Sequence, residues 1–319
     1  MLRHACLNLL RGMLGLPPAY AGLLALFACA ALFRENMLSP LLLLLMLRQA
    51  TPLGLVTLGQ SLVVRCRSVD LSSGGIMAGV SYIVTSDILG WSVYPTLALA
   101  VVFGMLIGAI NGLLITRMRA SAVIVTLAMA IVLTGTVVAL SQYKPQVDAP
   151  ELLRQFGAAR WGGVPLAPIV WFAVLAPTGL FLRRSVLGRV MDASGANPLA
   201  AELSGLPYLR TLFIAHVASG LMTVIATLML LSAVGVGSIF IGEHIAINAL
   251  AATILGGVNF GSGRGGVLGP AVAAFMLMFL FNLLTSFGVT EAGHLMLQGA
   301  IVGGAAVVFS IRSAQAAHT

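Results

Sequence analysis

Apolar runs of about twenty residues recur along almost the whole chain, and most of the charges lie at their ends or in short stretches between them. A helix of that length spans the hydrocarbon core of a bilayer, roughly 30 Å. A water-facing helix would need a polar stripe along one side, and these runs have none. Only 8% of the residues are charged and 59% are hydrophobic, against about 25% charged in a typical soluble domain. No alternation of period two is sustained, as a membrane β-barrel would require. The expected fold class is all-α: a polytopic transmembrane helical bundle of about ten spans, forming a single domain over residues 1–319.

The runs lie at about 19–33, 38–64, 69–90, 93–116, 121–141, 166–182, 211–233, 245–260, 266–287 and 294–311. With the N-terminus inside, twelve arginines fall on the cytoplasmic side: Arg3, Arg11, Arg65, Arg67, Arg117, Arg119, Arg183, Arg184, Arg189, Arg210, Arg264 and Arg312. Arg34, Lys144, Arg154 and Arg160 fall outside. The positive-inside rule therefore predicts two cytoplasmic termini. Arg3 and Arg11 before an apolar run also resemble a signal peptide, but a retained first span is expected. The second run contains Arg48 and Pro52, which predicts a broken span. Residues 142–165, the longest external connection, are expected to form a small cap or a tethered loop. Gly104, Gly108 and Gly112 recur every four residues, a spacing that brings helix backbones together. The net charge of +8 is scattered over span ends, so it gives no nucleic-acid footprint. Cys6, Cys29 and Cys66 have no metal-ligand spacing and are expected to be inert thiols.

Several chemistries are excluded or disfavoured. A P-loop needs lysine after glycine, and the chain's lysine, Lys144, follows Gln142-Tyr143. Any ATP that drives this protein must be bound by another polypeptide. An ion-coupled carrier usually buries ionisable groups at mid-membrane, and Arg48 alone is a thin basis for one. His216-Val217-Ala218-Ser219-Gly220 lacks the leading glycine of a membrane serine-protease motif, and no HExxH is present. A pore or permease remains, with no catalytic, metal or cofactor residues expected.

One segment stands apart. Leu187–Gly205 reads LGRVMDASGANPLAAELSG, a polar island between apolar runs and flanked by arginines. Asn197 and Pro198 suit a helix start, Glu202 falls in the second turn, and Gly205 with Pro207 suits a helix end. Such a helix offers a docking element to a partner. Asp70, ahead of Ser72-Ser73, can cap a second helix start.

These segments carry a family resemblance. Val69–Met77 (VDLSSGGIM) resembles the "IDLSxGS" signature of ribose-type ABC importer permeases. Leu187–Gly205 resembles their "GRxxxAxGxNxxAAxLSG" segment. Ala249–Gly257 with Gly263–Gly269 is similar to "AIAAxxxGG…GGRGxxxG". The resemblance runs from about residue 50 to 311. It implies a bacterial inner-membrane permease subunit for a monosaccharide, paired with a second permease subunit. It also implies an ABC ATPase subunit and a periplasmic sugar-binding protein as partners.

By the same resemblance, Gly188, Arg189, Gly195, Asn197, Pro198, Ala201, Glu202, Ser204 and Gly205 couple the protein to the ATPase. The pore or gate is expected at Asp70, Ser72, Asn248, Thr253, Gly256, Gly257, Asn259 and Arg264. The chain departs from the pattern at Ser68, where the family has glycine, and at Asn248, where an acid is common. Arg65 and Arg67 stand where the family is mostly uncharged. A branched-chain amino acid or nucleoside permease, or an ion-coupled carrier, stays open as an alternative.

Overall fold

The computed structural model describes residues 17–86, 90–142, 148–258, 265–290, 292–301 and 303–304. It is a helical bundle. In chain order come α1 (Pro18–Phe33), a short 3-10 turn (Glu35–Leu38), α2 (Pro40–Arg65), α3 (Ser73–Thr85), α4 (Val93–Arg117) and α5 (Ala122–Ser141). The helix α6 (Glu151–Ala158) and a small antiparallel hairpin, β1 (Arg160–Trp161) with β2 (Val164–Pro165), precede α7 (Leu166–Arg184). Then follow α8 (Val186–Ala196), α9 (Pro198–Leu203), α10 (Tyr208–Val234), α11 (Ile245–Leu255) and α12 (Leu268–Ser286). Residues 292–301 are also helical.

Six of these helices, α2, α4, α5, α7, α10 and α12, are long and apolar enough to cross a membrane. The expected span at 19–33 is the 16-residue α1, that at 294–311 lies partly outside the described residues, and those at 69–90 and 245–260 are shorter still as helices. α3 has 13 residues and α11 has 11, or roughly 20 and 17 Å at 1.5 Å per residue. The rest of those two apolar runs includes non-helical backbone packed inside the bundle. Hydropathy reports burial and cannot tell a buried helix from buried extended chain.

α2 and α10 form the centre. Every residue of α2 from Ala50 to Arg65 is buried, and α10 packs along both α2 and α4. The α4–α10 seam is made by glycine. A Cβ on Gly104 would fall against the Gly220 carbonyl and Val224, and one on Gly108 against the His216 backbone. α5 is the opposite case: Ile124, Leu127, Ile131 and Val132 are exposed, so this helix turns its apolar side outward, toward lipid. α1 packs on α12 through Phe27, whose ring centroid lies 4.9 Å from that of Phe279.

α2 is not broken at Pro52, contrary to the sequence expectation. The helix runs through it, with Pro52 buried. The proline removes one backbone donor, but neighbouring helices hold the strand of chain on every side, and Thr51 Oγ1 bonds back to Leu47 O at 3.0 Å. Arg48 donates to the Ala233 carbonyl at 3.4 Å. The connection at 142–165 does carry local structure: α6, the hairpin, and Arg154 paired with Glu151 (2.6 Å) and Asp148 (3.3 Å).

Candidate coupling and gating site

Residues 66–72 join α2 to α3 and are not helical. Backbone buried away from water must find partners, and here side chains of the surrounding helices bond some of the linker's backbone groups while others fix its Asp70 and Ser72 side chains. Gln60 Oε1 of α2 accepts from Asp70 N at 3.3 Å, and Thr126 Oγ1 of α5 accepts from Leu71 N at 3.0 Å. Asp70 is 1% exposed. Its Oδ1 accepts from Ser72 N (3.0 Å) and Ser72 Oγ (2.6 Å), and its Oδ2 from Ser219 Oγ of α10 (2.7 Å). Asn111 Nδ2 of α4 donates to Ser72 Oγ at 2.8 Å. Three donors and the positive end of α3 stabilise this buried carboxylate. Asp70 does not itself cap α3, whose N-cap is Ser72 with no side-chain cap bond; it makes a turn ahead of the helix by accepting from the residue two further on.

Ser68 Oγ and His216 Nε2 lie 2.9 Å apart. The pair does not make a nucleophilic triad. Both residues are buried, and among the described residues His216 Nδ1 has no partner to orient the ring. Asn111, Gln60 and Thr126 were not singled out from the sequence. The available signal was a strong hydrogen-bonding side chain inside an otherwise apolar run, which needs a partner there.

The start of this linker is tied to the 187–205 segment. Arg67 Nε donates to Gly195 O and its terminal nitrogen to Ala196 O, each at 2.7 Å. A guanidinium therefore caps the C-terminus of α8, where the helix dipole favours a cation. Arg67 has φ +58, a left-handed conformation that a bulky residue adopts only when its surroundings impose it. Arg65 pairs with Asp192 of α8 and donates to Gly265 O at 2.6 Å. Cys66 O accepts from the Tyr208 hydroxyl at 3.3 Å.

The 187–205 segment is two helices. Ser185 Oγ caps α8 by accepting from Gly188 N at 3.0 Å, and Gly188 sits against the Leu182 backbone, leaving no room for a Cβ. Asn197 Oδ1 accepts from Ala200 N at 3.0 Å and Pro198 opens α9. Gly205 closes it with φ +75, and Leu206 N returns to Ala201 O at 3.0 Å. Gly195 and Ala201 are buried, while Glu202, Ser204 and Gly205 are exposed. Arg189 is exposed and donates to Arg184 O at 3.3 Å. The sequence did not indicate that Leu199 and Leu203 stand 66% and 81% exposed. They are four residues apart, so they share one face of α9.

The other sequence-derived gate residues lie across α2. Thr253 Oγ1 bonds Ala249 O (2.7 Å) and Thr57 O (3.4 Å), while Gln60, one turn further along α2, belongs to the Asp70 group. Gly256 sits against Gly269 and Pro270, and Gly257, with φ +86, faces Pro17. Asn248 is half-buried. Asn259 and Arg264 lie outside the described residues.

A family model described as "branched-chain amino acid transport system / permease component" matches residues 42–306. The chain belongs to this permease family. The ribose import permease of Bacillus subtilis (strain 168) is 29% identical, over 89% of each chain. The L-arabinose ABC transporter permease of Azospirillum brasilense is 30% identical, over 88% of this chain and 83% of its own. The xylose transport system permease of Escherichia coli (strain K12) is 26% identical, over 81% of each.

Cys66, just beyond α2 in this permease, illustrates how closed the linker is. Burial pushes its thiol up to about 12, opposed in part by neighbouring Arg65. The thiolate is the reactive form, and at pH 8 its population falls about a thousandfold below that of a thiol at 9. In a Cys6→Ser, Cys29→Ser background, maleimide labelling of the folded permease at pH 8 is expected to be slower than after denaturation by roughly a hundredfold or more. Rapid labelling of the folded protein would contradict the closed linker.

Proposed function

We propose that this chain is the membrane permease subunit of an ATP-driven, binding-protein-dependent importer of a monosaccharide, in the bacterial inner membrane. It would span the bilayer ten times as one domain, with both termini cytoplasmic. A second permease subunit would complete the path, a periplasmic sugar-binding protein would deliver the sugar, and a separate ABC ATPase would bind the ATP. The sugar permeases among its relatives support the substrate class.

The observation that carries the mechanism is the chain of contacts from α9 through α8 to Asp70. α9 offers Leu199 and Leu203 as an exposed apolar pair on a short, capped helix. Two exposed leucines on one short helix suit insertion into a groove of a partner. Movement of α9 would be passed to α8, then through Arg67 and Arg65 to the linker 66–72. That linker holds the Asp70–Ser72–Ser219–Asn111 group, so its displacement would shift α3 against α4 and α10. ATP binding elsewhere would in this way bias a two-state bundle between outward and inward access. In this reading Asp70 and Ser72 belong to the gate, with Asn248, Thr253, Gly256, Gly257, Asn259 and Arg264 on the other side of α2.

Two measurements test it. In proteoliposomes, sugar uptake is expected only when the ATPase subunit, the binding protein and ATP are all supplied. Uptake by the permease alone, driven by a proton or sodium gradient, would overturn the reading. Leu203→Asp is expected to weaken association with the ATPase about 30-fold, the effect of losing roughly 2 kcal/mol at an anchor residue. Because Leu203 touches water and not the core, membrane insertion should be unchanged. Unaltered association in the Leu199→Asp, Leu203→Asp double variant would remove α9 from the docking surface.

A further inference from the structure

We infer that the permease carries a binding site for an anionic phospholipid between α7, α8 and the start of α12. A pocket of about 810 Å³ lies there. Its polar end is formed by Arg65, Arg183, Arg189 and Asp192, three cations against one anion. Its wall is formed by Leu175 and Leu180 of α7 and Leu268 of α12. Leu180 and Leu268 are 50% and 55% exposed. From Leu175 to Arg183 is about 12 Å along the helix axis. One side of the pocket is thus greasy over the length of an acyl-chain segment, and its end is cationic. That is the chemistry of an amphiphile with a negative headgroup.

A second observation points the same way. The Arg65 side chain is only 7% exposed. One terminal nitrogen reaches Asp192 and the other Gly265 O, yet Nε, buried as well, has no acceptor among the described residues. A buried guanidinium donor without a partner is costly. That Nε–H is closed to direct contact, so the pull of Arg65 on a phosphate at the rim is electrostatic. Arg183 and Arg189 at the rim would hold the phosphate oxygens through their forked donors, as basic pockets between membrane helices hold anionic headgroups. Free phosphate could satisfy the same donors, but it would leave the leucine wall uncovered, so the two-part lining favours the lipid.

The inference rests on α7 being a membrane span, part of the proposed reading, and not on coupling. Loss of ATP-driven uptake would leave it standing. The test is native mass spectrometry of the full-length permease released from nanodiscs containing equal phosphatidylglycerol and phosphatidylcholine. Wild type is expected to retain phosphatidylglycerol at least tenfold over phosphatidylcholine. Arg183→Gln, Arg189→Gln is expected to abolish the preference, while Arg154→Gln, at the other end of the bundle, keeps it. Arg65 is left intact because its substitution would disturb the core. Equal retention of both lipids by wild type, or an unchanged preference in the double variant, would overturn the site. Displacement of phosphatidylglycerol by millimolar inorganic phosphate would show a free-anion site and overturn the lipid assignment.

Discussion

Gly220→Val is expected to destabilise the permease strongly. A Cβ at position 220 would lie well inside van der Waals contact of the Gly104 carbonyl, and what it meets is backbone. No side chain can swing aside, so α4 and α10 would have to separate. That seam lies beside the Asp70 group, and opening it would also strain the Asn111 and Ser219 bonds. Overpacking costs about 1–3 kcal/mol where side chains can yield, so a backbone clash should cost on the order of 3 kcal/mol or more. The midpoint of thermal unfolding in detergent is expected to fall by about 10 °C, with loss of the monodisperse peak in gel filtration. Gly135→Val on α5 is the control, because nothing among the described residues lies within 4 Å of its Cβ position. A variant at 220 as stable as that control would mean that α4 and α10 do not pack as described.

Arg67→Gly is expected to uncouple ATP hydrolysis from uptake without unfolding the protein. Glycine accepts φ +58 more readily than arginine, so the turn after α2 should survive and even gain a little stability. What is lost is the guanidinium that joins the linker to the Gly195 and Ala196 carbonyls. With two charge-assisted bonds gone, sugar uptake in the reconstituted system should fall at least tenfold, while ATPase activity and thermal stability stay near wild type. Arg67→Lys should be intermediate, since a single ammonium cannot reproduce the fork. Undiminished uptake in Arg67→Gly would show that the contact is structural only. A parallel loss of stability would show that the arginine holds the fold and does not transmit movement.

The sequence made some of this legible and hid other parts. The membrane class followed from run length and the scarcity of charge. The ends of α9 followed from Asn197, Pro198 and Gly205, because caps are set by residues within one turn. The Gly104, Gly108, Gly112 spacing announced close packing but not its partner. Pro52 was misleading, since a proline's cost depends on what encloses it. The long runs at 69–90 and 245–260 hid short helices next to non-helical chain. Leu199 and Leu203 looked like ordinary apolar residues until the fold left them in water. Arg65 and Arg67 stood out as unusual charges, with no hint of what they grasp.

Taken alone, the order of residues determined that the chain lives in lipid, where α9 starts and stops, and that the 187–205 segment is polar and capped. Those are properties of near neighbours and of the solvent. The tertiary structure decided that Arg67 meets residues 195 and 196, that Asp70 meets Ser219, and that Gly104 meets Gly220. These partners are more than a hundred residues apart in sequence. Chain entropy does not bring them together, and only the packing of α2, α4, α8 and α10 sets them within bonding distance.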